Sequence, residues 1–150
     1  MSEQDNRRII EEALAAANAH DIDRYLKHLD DSHVWENDAF PAPLRGREEA
    51  RKALAAYFAA FPDVRWETEQ VIASGDYVVV CSRMTGTHKG EFRGPGALGI
   101  PPTNKQFSSR SCAVTEVRNG RAVKTITYAD RLATLQQLGA LPLGKTAATG

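Results

Sequence analysis

The hydrophobic period of this chain changes once along its length, and that change limits the folds open to it. Residues 6–19 carry Ile9, Ile10, Leu14 and Ala17 at helical spacing, with charges on the other side. The segment NAHDIDRYLKHL restarts the pattern: Asp21 supplies a cap, and Ile22, Tyr25, Leu26 and Leu29 form a stripe. His33-Val34-Trp35-Glu36 reads as a short strand that ends in a loop marked by Pro41 and Pro43. Gly46 precedes a third helix, Arg47 to Ala60, with Ala50, Leu54, Tyr57 and Phe58 on one face. From there the period is two. Strands are predicted over Val64–Ala73, Tyr77–Thr85, near Thr87–Phe92, over Phe107–Val117 and over Ala122–Tyr128. Asn119-Gly120 is a hairpin turn, because both of its residues tolerate positive φ. A last helix follows Asp130 on Leu132, Leu135 and Leu138.

Helices followed by mostly antiparallel strands make an α+β chain, not an alternating parallel one. A long sheet that curls over helices leaves a cavity between the two layers, a common place for a small ligand. The 150 residues suit a single domain, and the tail from Gly144 reads as disordered.

Charge removes several function classes. Lys plus Arg equals Asp plus Glu, at 19 each, so no basic field favours nucleic acid. No run approaches the roughly 18 apolar residues of a membrane span, and MSEQDNRR lacks a signal core. Cys81 and Cys112 have no metal spacing, and the four histidines have no partner at i+4. The chain therefore reads as a cytoplasmic, reduced protein.

The residues that can carry chemistry lie at strand ends. Asp130 follows the last strand. It is either the N-cap of the final helix or an acid/base carboxylate facing the cavity. Alternation groups Ile126, Tyr128 and Asp130 on one face, which would surround the acid with apolar and aromatic neighbours if that face is inward. Tyr128 would then donate to a developing enolate. Asn37 ends the first strand, where an amide can hold a carbonyl oxygen. Glu36 beside it points the opposite way, and a second acid near Asp130 would raise its pKa. His88 in GTHKGEF is a proton shuttle or a structural hydrogen-bonding residue. Ser111 makes one face of its strand polar together with Ser109, and Trp35 is a core or wall residue. The glycines of 90–99 do not open a helix after a strand, so they form no phosphate cradle. They read as a turn, a lid or an oligomer contact.

The segments NAHDIDRYLKHL, HVWENDAFPAPLRGREEARKAL, FPDVRWETEQVIASGDYVVV, MTGTHKGEFRG, GIPPT, VRNGRAV and TYADRLATLQQLGALP occur in the order found in one family. The chain resembles the SnoaL-like branch of the NTF2-like superfamily over about Arg7 to Pro142. The resemblance implies a cone-shaped α+β barrel, a homodimer or larger homo-oligomer, and a hydrophobic small-molecule ligand. It also implies aldol-type ring closure, isomerisation or dehydration by an aspartate with no cofactor and no metal, or ligand binding alone. The aspartate matched by motif is Asp130, and His88 is a frequent family residue; the reading from the residues adds Asn37 as a catalytic partner and Trp35, Glu36, Tyr128, Ile126 and Ser111 as substrate contacts. Three features depart from the family pattern: the inserted Pro95–Gly99, Glu36 where relatives carry His, and Lys124-Thr125-Ile126 where relatives run Glu-Glu-Trp.

Overall fold

The computed structural model describes residues 2–141; the predicted disordered tail lies outside the described residues. Helix α1 (Glu3–Asn18) starts at a capping box in which Ser2 and Asp5 satisfy each other's backbone N–H groups. Its apolar face, Ile9, Ile10, Ala13 and Ala17, is buried. Helix α2 (Ile22–Leu26) is a single capped turn, shorter than the predicted stripe, because Leu29 already belongs to a strand. Strand β1 (Leu29–Asn37) is thus more than twice the predicted length. Strand β2 (Leu44–Arg45) and helix α3 (Gly46–Ala60) follow.

The rest is a meander of β3 (Arg65–Ser74), β4 (Tyr77–Thr87), β5 (Gln106–Arg118) and β6 (Arg121–Ala129), closed by the short helix α4 (Arg131–Gln137). The strand predicted near Thr87–Phe92 is not a separate element. Thr87 ends β4, held by Asp63, whose carboxylate accepts from its backbone N–H and its hydroxyl, both at 2.7 Å. Residues 88–105 then leave the sheet as a loop. The β5–β6 hairpin turns at Asn119 and Gly120, with φ of 50° and 79°.

The six strands form one curled, unclosed sheet in the order β2-β1-β6-β5-β4-β3. Every pairing is antiparallel except β1 with β6, which run parallel in the middle of the sheet. A register shift between Glu116 and Val117 puts one extra residue in β6. This exchanges the faces of all that follows: Ala122 is inward, and after the shift so are Thr125, Thr127 and Ala129. The face shared by Ile126, Tyr128 and Asp130 is therefore the outward one, although Tyr128 still reaches the cavity lining.

Two apolar clusters fill the space between sheet and helices. One joins Ile9, Ile10, Leu26, Leu29 and Ala50 to Val78, Val80 and Val117. The other joins Phe61, Val64, Met84, Phe107 and Leu138. Asn18 ties α1 to β3 by exchanging two hydrogen bonds with the Trp66 backbone, at 2.7 and 2.9 Å. Among the described residues no helix is long and apolar enough to cross a membrane.

Candidate active site

Between the two clusters the curl of the sheet leaves a cavity of about 740 Å3. Its floor is Ile10, Leu29 and Ala122 with Tyr25, His28, Thr115 and Thr125. Its middle is apolar, set by Trp35, Val80, Ala113 and Leu54. Ser82 and Ser111, paired across β4 and β5, add two hydroxyl groups nearer the mouth. Asn37, Asp38 and Phe40 form one side of the mouth, and Arg131 and Leu135 of α4 another.

The loop 88–105 forms the roof through Pro95, Gly96, Leu98 and Ile100. This is why the insertion is rich in glycine. Gly96 has φ of 73°, and a Cβ there would sit 2.3 Å from the Ala39 carbonyl oxygen. A side chain would therefore lift the roof off the turn that follows β1. Lys89 and Gly90 donate to the Ala60 carbonyl at 2.9 and 3.1 Å, fixing the start of the loop on α3.

Arg131 is the charged group best placed in this wall. Its guanidinium is half-buried, donates to the Gly96 carbonyl and lies 5.8 Å from the centre of the Phe92 ring. Burial lowers its pKa, and the nearby Tyr57 works in the opposite direction. It makes no ion pair with any described carboxylate. Tyr57 is packed against Phe61 and Phe92, and its hydroxyl lies 3.4 Å from the Met84 sulfur. Burial raises its pKa strongly.

The predicted residues fall into two groups. Trp35, Asn37, His88 and Ser111 line the cavity. Asn37 Oδ1 accepts from Ala39 N–H at 2.9 Å, which leaves its NH2 as the group available to a ligand. His88 is 1% exposed. Thr103 N–H donates to its Nδ1 at 3.3 Å, so Nε2 carries the hydrogen of the neutral ring. Burial holds its pKa below the usual imidazole value, with the Gly90 backbone opposing. Tyr128 touches only the edge and is 56% exposed.

Glu36, Ile126 and Asp130 do not line the cavity. Glu36 points outward and pairs with Lys124 at 3.4 Å. Ile126 lies on the outward face for the reason given above. Asp130 is exposed, and its Oδ1 accepts from Ala133 N–H at 2.9 Å: it is the cap of α4. Cap geometry turns this carboxylate toward its own helix.

Three further residues of the site were not singled out from the sequence. Asp38 is the one carboxylate that lines the cavity among the described residues. It reads from sequence as part of a turn after Asn37. Arg131 is the first residue of α4. The third is His33, a strand residue that is 1% exposed, with Nε2 3.0 Å from Thr125 Oγ1. Burial pushes its pKa down to about 4. Two other histidines, His20 and His28, lie on helical, polar stretches of the sequence that read as solvated, and both are partly buried. His28 lines the cavity floor, and His20 stacks on Phe58 at 4.1 Å with Nε2 2.7 Å from the Val64 carbonyl. Among the described residues no three His, Cys, Asp or Glu side chains are placed to hold a metal ion.

A family model described as SnoaL-like polyketide cyclase matches residues 7–138. No curated protein matches the chain. Similar solved structures include AclR of Streptomyces galilaeus, a proposed hydroxylase. It is 25% identical, with a TM-score of 0.81 over 94% of this chain and 100% of that one. IdmH of Streptomyces antibioticus, a proposed polyketide cyclase, is 27% identical, with a TM-score of 0.76 over 89% of this chain and 98% of that one. TsrD of Streptomyces laurentii, 24% identical with a TM-score of 0.80 over 94% and 99%, shares the fold.

Proposed function

We propose that this chain, which belongs to the SnoaL-like polyketide cyclase family, performs acid/base chemistry at a carbon next to a carbonyl on an apolar small molecule. The outcome is ring closure of aldol type or a related isomerisation or dehydration. The family resemblance implies that no organic cofactor takes part, and it makes a homodimer part of the same reading.

The observation that carries the reading is Arg131. A half-buried cation in an apolar wall, without a carboxylate partner among the described residues, favours a ligand whose oxygen is or becomes negative. Asp38 is the carboxylate within the same mouth. In the proposed step Asp38 takes the α-proton, and the C–H electron pair moves into the carbonyl to form an enolate. Arg131 and the Asn37 NH2 hold the enolate oxygen. The enolate carbon then attacks a second carbonyl of the same molecule, and the new alkoxide recovers the proton. Ser111 and Trp35 contact the body of the ligand, and neutral His88 closes the side beneath the roof. Asp130 is assigned to the helix cap, not to this step.

A non-catalytic binding role is the second reading. It is favoured by one observation: the acid matched by the family motif caps a helix. Proton exchange separates the two. With acetonaphthone bound in D2O, the methyl hydrogens are expected to exchange faster with the wild-type chain than with Asp38→Asn, while both bind the ketone. A loss of exchange on the order of 100-fold or more is expected for Asp38→Asn. Equal exchange in the two proteins would sink the catalytic assignment, and absence of enhanced exchange in both would favour binding alone.

A further inference from the structure

We infer that the floor of the cavity is a second oxygen-binding site, in which the Thr115 hydroxyl donates to a ligand oxygen. The ligand therefore carries oxygen at both ends of an apolar body. This rests on the proposed binding of an apolar carbonyl compound, and it adds what the far end of that compound must present.

The inference starts from a buried chain of three polar groups. His33 Nε2 lies 3.0 Å from Thr125 Oγ1, and Thr125 Oγ1 lies 3.2 Å from Thr115 Oγ1. Strand register fixes the last pair, because Thr115 and Thr125 stand directly opposite each other on β5 and β6. The three side chains are buried, at 1%, 8% and 6% exposure for His33, Thr125 and Thr115. Both threonines line the cavity.

The direction of the chain follows from its closed end. His33 Nδ1 is buried without a partner among the described residues. If Nδ1 carried the hydrogen, a buried N–H donor would be orphaned, which proteins rarely tolerate. A bare Nδ1 lone pair costs less. The ring is neutral, since burial pushes its pKa down to about 4. Nε2 therefore holds the hydrogen and donates to Thr125. Thr125 then donates to Thr115, whose oxygen is occupied as an acceptor. The hydrogen left over is that of Thr115, and no described group accepts it. It is available to the cavity, where a carbonyl or ether oxygen is the matching partner.

The cavity is polar at its two ends and apolar between them. Val80, Ala113 and Trp35 separate Thr115 from the mouth. Ala129 stands four strand steps beyond Thr125 on β6, a span of about 13 Å at strand rise. Allowing about 3 Å for a hydrogen bond at each end leaves roughly 7 Å between the two ligand oxygens. That separation suits a fused two-ring body with oxygen at opposite ends. His33 does not touch the ligand; it is a positioning residue that sets the direction of the Thr115 hydrogen.

The test compares two ketones by calorimetry: acetonaphthone, and its counterpart with a second acetyl group at the far end of the rings. The wild-type chain is expected to bind the second about 10-fold more tightly. Thr115→Val is expected to bring the two within about twofold of each other, and Thr115→Ser to restore the preference. Equal binding of both ketones by the wild-type chain overturns this inference alone. So does a preference that survives Thr115→Val. If neither ketone binds, both the inference and the functional reading beneath it fall.

Discussion

His33 makes the chain sensitive to mild acid in a way that can be worked through. In the unfolded chain its imidazole titrates near the ordinary 6.5; in the folded protein burial holds it at about 4. Between those values the unfolded state binds more protons than the folded one, so stability rises with pH across this window. The contribution is complete above about pH 6.5 and is lost as the pH falls toward 4. Going from pH 7.5 to 4.5 places about three quarters of the shift in play, a loss of about 2.5 kcal/mol from this one group. His33→Gln keeps a donor for Thr125 and removes the titration. Urea unfolding of both proteins at the two pH values gives the comparison. The variant is expected to be the less stable protein at pH 7.5, and its deficit should shrink or reverse at pH 4.5. Other groups titrate in both proteins and cancel in the difference. A stability difference that stays constant to within about 0.5 kcal/mol across the range would refute the claim that this ring is buried and neutral.

Other outcomes test the assignments one residue at a time. Asp130→Ala is expected to cost about 1 kcal/mol in urea unfolding through loss of the cap, and Asp130→Asn to cost little. Neither should change proton exchange of bound acetonaphthone; a collapse of exchange in Asp130→Asn would return the acid role to this residue. Gly96→Ala meets the Ala39 carbonyl and a left-handed backbone at once, so a destabilisation of about 2 kcal/mol is expected. Amide exchange should quicken first around residues 94–100, and unchanged protection there would show that the roof is not held by this contact. Cys81 and Cys112 face each other across β4 and β5 with sulfurs 3.7 Å apart. A trivalent arsenical that bridges two thiols is therefore expected to bind once per chain, and Cys112→Ser to abolish that binding, as read by intact mass.

The order of elements was legible because helix and strand periods differ, and the Asn119-Gly120 turn because few residue pairs accept its backbone. The orientation of β6 was not. A single extra residue near Val123 exchanges the faces of the strand, and alternation counted along the sequence has no mark of where it is inserted. That slip is what put Ile126 in the imagined pocket and left Thr125 and Thr127 out of it. The site suffered from a second ambiguity. Asp130 has the same one-letter signature as cap and as catalyst, and only the direction of its oxygen separates them. Arg131 gains its place from its contact with Gly96 in a roof loop whose path no periodicity describes. His33 was missed because its strand begins four residues earlier than the visible pattern, and its partner hydroxyl lies 92 residues away.

The parallel seam between β1 and β6 has a consequence for how the chain is made. Beyond the two-residue β2, strand β1 has no neighbour until β6 has been synthesised. A nascent chain that has emerged as far as β5 can form its helices and the β3–β4–β5 meander, while β1 and the free edge of β5 wait uncovered. Joining them closes a loop of about ninety residues, and that entropy is lost before any contact across the seam is gained. The chamber therefore closes only once β6 and α4 are in place, since both line it. Until it does, two open strand edges are presented to any neighbouring chain.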